Sequence, residues 1–380
     1  MKNKVVIFCK DCYPGLGLIR SLGEAGYKPE CYCYGKKSEY LLASKYVSKG
    51  LSFRSAEEIL DYLVREYPCY DDKPILFTVP DMPAYLVDCC QNQLKDKFIL
   101  MSAGGQGRIG YWMYKRNQAR IAQKYGLTTP WTIELSKDEE IPESICYPVF
   151  TKSVRTVDGG KDDESICWNK EDLEKRKSII VSDRFLVTKY IKKKQEISFF
   201  GLSLNGKVYI DYHDEIERFP DNAFGFYNVF KNFNYDDIRQ KSVSMMEEIG
   251  YEGLFDVEFL LGDDGVFYFM EVNFRVDGAI YKLLPGVNLP AEWCRLLNMP
   301  KEDLPDHLPL KKPFFSGMTE HHDFRTSVLT GKMSPIKWFW EFCTAEKHML
   351  INLKDPRPVL VWVYCFIRHK EILKVLRRSI

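Results

Sequence analysis

Acidic residues alternate with apolar ones in the segment Gly253–Arg275. Asp256 and Glu258 lie two residues apart, and Glu271 and Asn273 repeat that spacing further along. Because successive side chains of a strand point to opposite faces, each pair is predicted to share one face, and an antiparallel turn would bring the pairs together. Magnesium prefers oxygen ligands and often takes one or two carboxylates together with nucleotide phosphates. The spacing therefore predicts a magnesium–nucleotide site built on two strands.

The alternative is that these carboxylates are solvated side chains of an exposed strand. Glu271 argues against this alternative, because it is set between apolar neighbours in Phe269–Val272. Two acids on one buried face would also repel each other unless a cation lay between them.

The composition is that of a globular protein with more than one domain. The chain has 380 residues, of which 45% are hydrophobic and 28% charged, and this length favours two or three domains. The 54 Lys and Arg against 53 Asp and Glu leave a net charge of +1, which indicates no nucleic-acid partner. The sequence has no apolar run of about 20 residues, so we predict no transmembrane helix. The N-terminus does not resemble a secretory signal, so we expect a cytoplasmic protein with reduced thiols.

Four of the twelve cysteines form two close pairs, Cys9 with Cys12 and Cys31 with Cys33. They could be zinc ligands, or small apolar side chains on neighbouring strands. The spacing of the second pair is poor for a zinc knuckle, which favours the apolar interpretation.

Strand and helix signals alternate in residues 1–110, which predicts a parallel sheet with helices on its faces. Such sheets bind ligands at the carboxyl ends of their strands. Pro80 and Asp81 follow an apolar run and are therefore candidate substrate contacts, with a plain turn as the alternative. The glycines of Gly105–Gly110 fit a dinucleotide-binding pattern, but they follow a late strand, which favours a linker loop. The predicted elements are strands Lys4–Cys9, Tyr27–Tyr34, Pro74–Val79 and Phe98–Met101 and helices Gly15–Ala25, Ser55–Glu66 and Tyr85–Gln93.

Antiparallel hairpins are predicted after residue 111. Asn205-Gly206 between two apolar runs is a strong hairpin signal, so this part is predicted to be α+β. The predicted elements are helices Tyr114–Tyr125 and Ser242–Gly250 and strands Tyr147–Lys152, Phe185–Ile191, Ile197–Leu204, Lys207–Tyr212, Gly253–Leu261 and Gly265–Val272.

The segment Gly253–Arg275 resembles the metal-binding signature of the ATP-grasp superfamily, a Gly-x-x-x-x-Glu strand followed by a Glu-x-Asn-x-Arg strand. The resemblance implies that Glu258 and Glu271 bind Mg²⁺ or Mn²⁺, with Asn273 as a third ligand. It also implies a catalytic role for Arg275, which would stabilise charge on the transferred phosphoryl group.

Earlier parts of the chain resemble the family's ATP site, in the expected order. Two lysines would contact the phosphates, a Gly-Gly loop would cover them, a hinge strand would bond adenine through its backbone, and a glutamate would accept the ribose hydroxyls. The implied residues are, in that order, Lys115 and Lys152, Gly159 and Gly160, Lys189 and Ile191, and Glu196. Lys152 would also take part in catalysis. The chain departs from the family at Lys189, where an acid is common, and in the basic run Lys192–Lys194.

The same resemblance implies a fold that is α/β plus α+β. An N-terminal parallel-sheet (pre-ATP-grasp) domain would span residues 1–110, and a two-lobed ATP-grasp domain 111–304, with lobes of about 111–190 and 191–304. A mostly helical C-terminal extension would span 305–380. Gly286–Pro290 further resembles the carboxylate–amine ligase branch, which includes the D-aspartate ligases of cell-wall assembly.

The implied activity is an ATP-dependent ligase that joins a small-molecule carboxylate to an amine through an acyl phosphate and releases ADP and phosphate. Its role would be in modifying the cell envelope or a surface polymer. A non-catalytic nucleotide-binding module is the alternative. The candidate substrate contacts are Pro80, Asp81, Arg155 and His213. His321 and His322 could assist the amine, although histidines without a supporting group are more often ordinary polar residues.

The C-terminal segment combines aromatic and basic residues. Trp338 and Trp340 precede the run of residues 359–380, and Trp362 lies within it. The same run carries the cations Arg368, Lys370, Lys374, Arg377 and Arg378. Such a helix can lie in the interface of an anionic membrane, or it can pack on the core of the protein. The sequence leaves both interpretations open, including peripheral contact with the inner face of the membrane.

Overall fold

The computed structural model describes residues 3–218, 226–232 and 235–368. Its N-terminal part is a five-stranded parallel sheet with strand order β3-β2-β1-β4-β5. The elements are β1 Val5–Lys10, α1 Tyr13–Glu24, β2 Glu30–Tyr34, α2 Glu39–Leu42, β3 Lys49–Phe53, α3 Ala56–Arg65, β4 Ile75–Val79, α4 Asp81–Cys89, α5 Gln91–Leu94, β5 Ile99–Leu100 and α6 Arg108–Trp112. The predicted parallel sheet is confirmed.

Helices cover both faces of this sheet, which explains why β1 is apolar along most of its length. Val5 and Ile7 belong to the cluster that includes α1, whereas Val6 and Phe8 pack in the cluster that includes α3. A strand buried on both faces requires a continuous apolar run. Strand β3 was not predicted, because it is an edge strand whose residues are mostly exposed.

A small antiparallel sheet follows, with strand order β6-β9-β7-β8. Its elements are α7 Lys115–Lys124, β6 Thr132–Ser136, β7 Val149–Ser153, a 3₁₀ turn Gly160–Asp163, β8 Ser165–Cys167, α8 Lys170–Ile179 and β9 Arg184–Lys189. Val149, Phe185 and Leu173 lie in one hydrophobic cluster, so α8 is packed onto the sheet.

The largest sheet has seven strands in the order β14-β13-β10-β11-β12-β15-β16. Five of these strands and three further elements belong to residues 193–303. In chain order they are β10 Lys193–Leu204, β11 Lys207–Arg218, β12 Tyr227–Asn232, α9 Asp236–Ile249, β13 Gly253–Gly262, β14 Phe267–Asn273, α10 Leu289–Leu296 and a 3₁₀ turn Lys301–Asp303. Asn205 and Gly206 both have positive φ, 53° and 81°, as the predicted two-residue hairpin between β10 and β11 requires.

The C-terminal part is helical, as predicted, but it also completes the large sheet. Its elements are β15 Phe314–Met318, α11 Glu320–Asp323, a π turn Phe324–Val328, α12 Pro335–Thr344, β16 Lys347–His348 and α13 Arg357–Arg368. Strand β15 pairs antiparallel with β12 and parallel with β16. Strands β15 and β16 were not predicted. The division of the chain into domains at residues 110 and 304 remains a prediction.

A buried ion pair fixes the C-terminal part to the N-terminal sheet domain. Arg20 Nε lies 3.1 Å from Asp355 Oδ2, and both side chains are fully buried. Ser44 also donates to this carboxylate, at 2.8 Å. The predicted basic positions Lys370, Lys374, Arg377 and Arg378 lie outside the described residues.

Candidate active site

The register of the β13–β14 hairpin places four polar side chains together. Glu258 is opposite Glu271, and Asp256 is opposite Asn273, which confirms the predicted pairing. The Asn273 amide nitrogen donates to Asp256 Oδ2 and to Glu258 Oε1, at 2.9 Å each. We call these four residues the carboxylate cluster.

Burial makes the carboxylate cluster electrostatically unfavourable on its own. The pKa of Glu258 is raised well above its ordinary value, first by burial and then by the negative charge of Glu271. Burial likewise raises the pKa of Asp256 to about 8, although the charge of Arg275 acts in the opposite direction. Neighbouring buried acids repel each other when both are ionised, and a bound cation would remove that repulsion.

Two lysines lie against the Glu271 side of the cluster. Lys115 Nζ is 3.3 Å from Glu271 Oε2. Burial opposes ionisation of Glu271, but Lys115 and Lys152 outweigh it, and the pKa of Glu271 is lowered. The pKa of Lys152 is lowered to about 8, first by burial and then by the charge of Lys115, while Glu271 and Glu258 act in the opposite direction. The structure therefore brings Lys115 and Lys152 together beside the carboxylates.

Gln118 anchors helix α7, which carries Lys115, to strand β14. One turn after Lys115 on α7, its amide nitrogen donates to the Val272 carbonyl at 2.9 Å, and its carbonyl accepts from the Val272 N–H at 2.8 Å. The side chain thus pairs with the outer edge of β14 as a neighbouring strand would. The sequence analysis missed Gln118, because no local pattern distinguishes it from an ordinary helical glutamine.

Arg275 links the cluster to the N-terminal sheet domain. Its guanidinium contacts Asp256 at 2.5 Å and Asp277 at 3.2 Å. It also lies 3.4 Å from Asp81 Oδ1. Asp81 is the first residue of α4 and directly follows Pro80. Burial raises the pKa of Asp81, and Arg275 opposes that rise. Of the candidate substrate contacts, Asp81 therefore lies at the site, and Pro80 is the residue before it.

The glycine loop after β7 is fixed to its own lobe. A Cβ on Gly159 would lie 1.9 Å from Asp163 Oδ2 and 2.3 Å from Ser182 Oγ, so this close approach requires glycine. Gly160 begins the following 3₁₀ turn. Arg155, near the start of the loop, donates to Asp158 at 2.9 and 2.8 Å. The structure gives no contact between the two glycines and the carboxylate cluster.

Arg155 also bridges to the helices that border the site. Its guanidinium lies over the ring of Tyr114 at 4.7 Å and over that of Tyr85 at 5.2 Å. Thr156, the next residue, lines a small cleft together with Asp81 and Glu271. The Arg155 loop therefore forms part of the wall of the site.

The adenine and ribose candidates lie at the junction of the two lobes. The Lys189 N–H donates to the Trp131 carbonyl at 2.8 Å, and its ammonium donates to the Tyr268 hydroxyl at 3.1 Å. Ile191 is buried at 8% exposure. Glu196 accepts a hydrogen bond from Lys193. On β10, Ser198 pairs with Glu258, and Glu196 lies two residues before Ser198, so Glu196 and Glu258 are on the same face of the sheet.

His213 faces away from the carboxylate cluster. It pairs with Phe199, which in turn pairs with Val257, and Val257 points away from the face that Asp256 and Glu258 share. Its ring lies 5.1 Å from that of Tyr235 and is fully buried. The prediction that His213 contacts the substrate is therefore wrong, because the strand register turns its side chain away from the cluster. Asp214 lies on the face of the cluster instead.

A second buried polar group extends along the same face. Asp214 accepts from the Ser198 N–H at 3.1 Å and from Asn228 Nδ2 at 2.5 Å, and Lys282 donates to Asn228. Burial lowers the pKa of Lys282 and raises that of Asp214 to about 7. The sequence analysis missed this group because it joins three distant segments.

The remaining candidates have ordinary packing partners. His321 lies 4.4 Å from the Trp362 ring, and His322 stacks on Phe226 at 5.1 Å. The Cys9 and Cys31 sulfurs are 3.8 Å apart. In the described parts of the chain, no three His, Cys, Asp or Glu side chains are arranged to hold one metal ion. Cys9, Cys31 and Cys33 are fully buried on the neighbouring strands β1 and β2, the arrangement that the apolar interpretation describes.

Comparisons with known proteins agree with this architecture. Residues 228–296 match the family described as carbamoyl-phosphate synthase L chain, ATP binding domain. No curated protein matches the sequence.

Three solved structures illustrate the likeness of the fold. N5-carboxyaminoimidazole synthetase from Staphylococcus aureus, complexed with ADP, has a TM-score of 0.65 at 15% identity over 87% of each chain. L-amino acid ligase from Bacillus licheniformis has a TM-score of 0.61 at 14% identity, covering 83% of this chain and 79% of the other. Biotin carboxylase from Campylobacter jejuni, as its β,γ-ATP complex, has a TM-score of 0.62 at 16% identity, covering 82% and 74%. The chain therefore shares the fold of these structures, and its residues 228–296 are similar to an ATP-binding domain.

Proposed function

We propose that the protein is an ATP-dependent carboxylate–amine ligase that works through an acyl phosphate. The observation that carries this proposal is the buried pairing of Glu258 with Glu271, with Asn273 alongside and Lys115 in contact with Glu271. A divalent cation and a polyphosphate would satisfy both sets of charges at once.

The donor set fits a magnesium or manganese ion. Glu258 and Glu271 supply carboxylates on one face of the hairpin, and burial followed by the charges of Glu271 and Asp256 raises the pKa of Glu258. Asn273 would complete the set through its carbonyl oxygen, which requires its carboxamide to turn from its present bonds to the acids. The ion would supply charge neutralisation at the phosphates.

The cations around the cluster suit the transfer of a phosphoryl group. Lys115 and Lys152 would hold the phosphates of ATP as point charges, and Arg275 would stabilise charge on the transferred group. Lys189, Ile191 and Glu196 remain the proposed adenine and ribose contacts, and Gly159 and Gly160 the proposed phosphate cover. These roles rest on the resemblance and on the positions described above.

In the proposed reaction a substrate carboxylate oxygen attacks the γ-phosphorus, and the bond to the bridging oxygen breaks to release ADP. The amine nitrogen then attacks the carbonyl carbon of the acyl phosphate, phosphate leaves, and the nitrogen loses a proton to give the amide. Asp81 and Arg155 border the site and are the proposed substrate contacts. The similar structures include an L-amino acid ligase, an N5-carboxyaminoimidazole synthetase and a biotin carboxylase, and these enzymes are compatible with carboxylate chemistry.

The alternative, a nucleotide-binding module without catalysis, requires the same cluster but no turnover. A screen for ADP release separates the two functions. We expect one combination of an amino acid or other carboxylate with an amine to stimulate ADP release, and Glu271→Ala to abolish that stimulation. Asp264→Asn, in the turn of the same hairpin, is the matched control and should retain activity. Full activity in Glu271→Ala would overturn the metal assignment, and tight ATP binding without turnover for any pair would favour the module.

A further inference from the structure

Helix α12 is attached to the protein by few of its side chains. None of its residues is buried, and Ile336, Phe339 and Trp340 are exposed to 83%, 62% and 70%. The Trp338 indole donates to Asp323 at 2.8 Å and holds the helix in place. The opposite side of α12 therefore presents large apolar groups to solvent.

Helix α13 is apolar on its outer side as well. Its inner side contributes the buried Cys365, whose thiol donates a hydrogen bond to Glu39 Oε2 of α2 at 3.2 Å. Its outer side exposes Leu360, Tyr364 and Ile367 to 65%, 59% and 56%. A helix that is apolar on all sides is ordinarily covered on all sides, so something outside the described residues is expected to cover the outer side.

The exposed charges of residues 324–344 and 351–367 are positive, and the exposed acid between these two segments, Glu346, is paired with Lys312. The exposed cations are Arg325, Lys332, Lys337, Lys354 and Arg357. Residues 324–344 and 351–368 contain only two acids, Glu341 and Asp355. Asp355 is fully buried against Arg20. Glu341 is bound to Arg218 and also lies 3.9 Å from Lys337. Asp355 is thus neutralised inside the protein and Glu341 mainly by Arg218, whereas the side chains of the five cations are exposed.

A groove at the start of α13 repeats this chemistry. Lys45 and Arg357 line it together with Leu42 and Leu360. Apolar walls next to two cations suit an anionic headgroup with the first part of its acyl chain.

We propose that the exposed side chains of residues 324–340 and 351–367, here called the C-terminal surface, bind the interface of an anionic lipid bilayer. Aromatic side chains enter the region between headgroups and acyl chains, and Lys and Arg contact the anionic headgroups. A protein partner of matching charge would also need to bring an acidic face, whereas a bilayer supplies both properties in one surface. None of the described helices has the length and apolar character needed to cross a membrane, so the contact is peripheral. This inference does not depend on the proposed ligase activity.

Vesicle flotation with the full chain tests the proposal. We expect binding to vesicles of phosphatidylcholine with about a third phosphatidylglycerol, weak binding to pure phosphatidylcholine, and release at high salt, because screening weakens the headgroup contacts. The double variant Phe339→Ser/Trp340→Ser should weaken partitioning roughly tenfold or more. Lys332→Glu/Lys337→Glu should do the same, since each cation near an anionic bilayer contributes roughly fivefold.

The matched control is Ile179→Ser/Val181→Ser, which removes apolar side chains of similar exposure, 65% and 61%, from the small lobe. It should bind vesicles as the wild type does. Thermal melts should be unchanged in all variants, because the substituted side chains are exposed.

Three results would overturn the proposal. One is wild-type protein that stays unbound while forming dimers that the Phe339/Trp340 variant cannot form, which would make a second copy the occupant. Another is equal loss of binding in the Ile179/Val181 control. The third is loss of binding only on charge reversal of Lys374, Arg377 and Arg378, which would move the contact to residues outside the described surface.

Discussion

Gln118 holds helix α7 against strand β14 through two hydrogen bonds to the backbone of one residue, Val272. Both residues are 3% exposed. Replacing Gln118 by leucine leaves a buried N–H and a buried carbonyl without their partners, and each such group costs about 1–3 kcal/mol. With partial relaxation, we expect Gln118→Leu to lower the free energy of unfolding by about 3 kcal/mol.

The same change should displace Lys115, which α7 presents to Glu271 at 3.3 Å. If about half of the lost energy affects the phosphate contact, the KM for ATP rises roughly tenfold, which corresponds to about 1.4 kcal/mol. Thermal melting and an ADP-release assay measure the two effects. Gln123→Leu is the control, because Gln123 lies on the exposed side of the same helix. A Gln118→Leu protein with the melting temperature and KM of the wild type would refute the positioning role.

Three further results are expected. Burial lowers the pKa of His213 from 6.5 to about 4, so the folded state binds fewer protons than the unfolded one between those pH values, and stability is lost as pH falls through this window. Relative to His213→Phe, the wild type should lose up to about 3 kcal/mol between pH 7 and pH 4 in denaturant titrations, and parallel curves would contradict this. Arg20→Met leaves the carboxylate of Asp355 buried and uncompensated, so urea unfolding should show a loss of about 3–5 kcal/mol, and an unchanged midpoint would show that the pair is not structural. Gly159→Ala should lower the melting temperature and raise the KM for ATP, because its Cβ would lie 1.9 Å from a carboxylate oxygen. Gly105→Ala, where a Cβ meets nothing closer than 3.9 Å, should change neither, and equal effects in both variants would refute the close-approach argument.

Local patterns in the sequence were enough to predict the hairpin at the centre of the site. Alternating side chains and a short turn between Leu261 and Phe267 determine which residues of β13 and β14 share a face, and the pairing of Glu258 with Glu271 follows. The apolar runs of the N-terminal sheet were equally informative, because strands buried on both faces are almost continuously apolar.

Features that depend on distant pairing could not be predicted in this way. Strand β15 is recognisable only from its place beside β12, some 90 residues earlier. The orientation of His213 depends on the register across β11, β10 and β13, which no single strand encodes. Gln118 and Lys282 are ordinary in sequence and gain their roles from contacts with Val272 and Asn228.

The formation of an acyl phosphate on the substrate carboxylate is the central chemical claim, and an isotope experiment tests it most directly. Once a carboxylate that stimulates ADP release has been found, it is supplied with ¹⁸O in its carboxyl group, and the released phosphate is analysed by mass spectrometry. Because the carboxylate oxygen attacks the γ-phosphorus and leaves with it, each amide formed should transfer one ¹⁸O atom to phosphate. Amide formation that releases unlabelled phosphate would contradict the proposed mechanism.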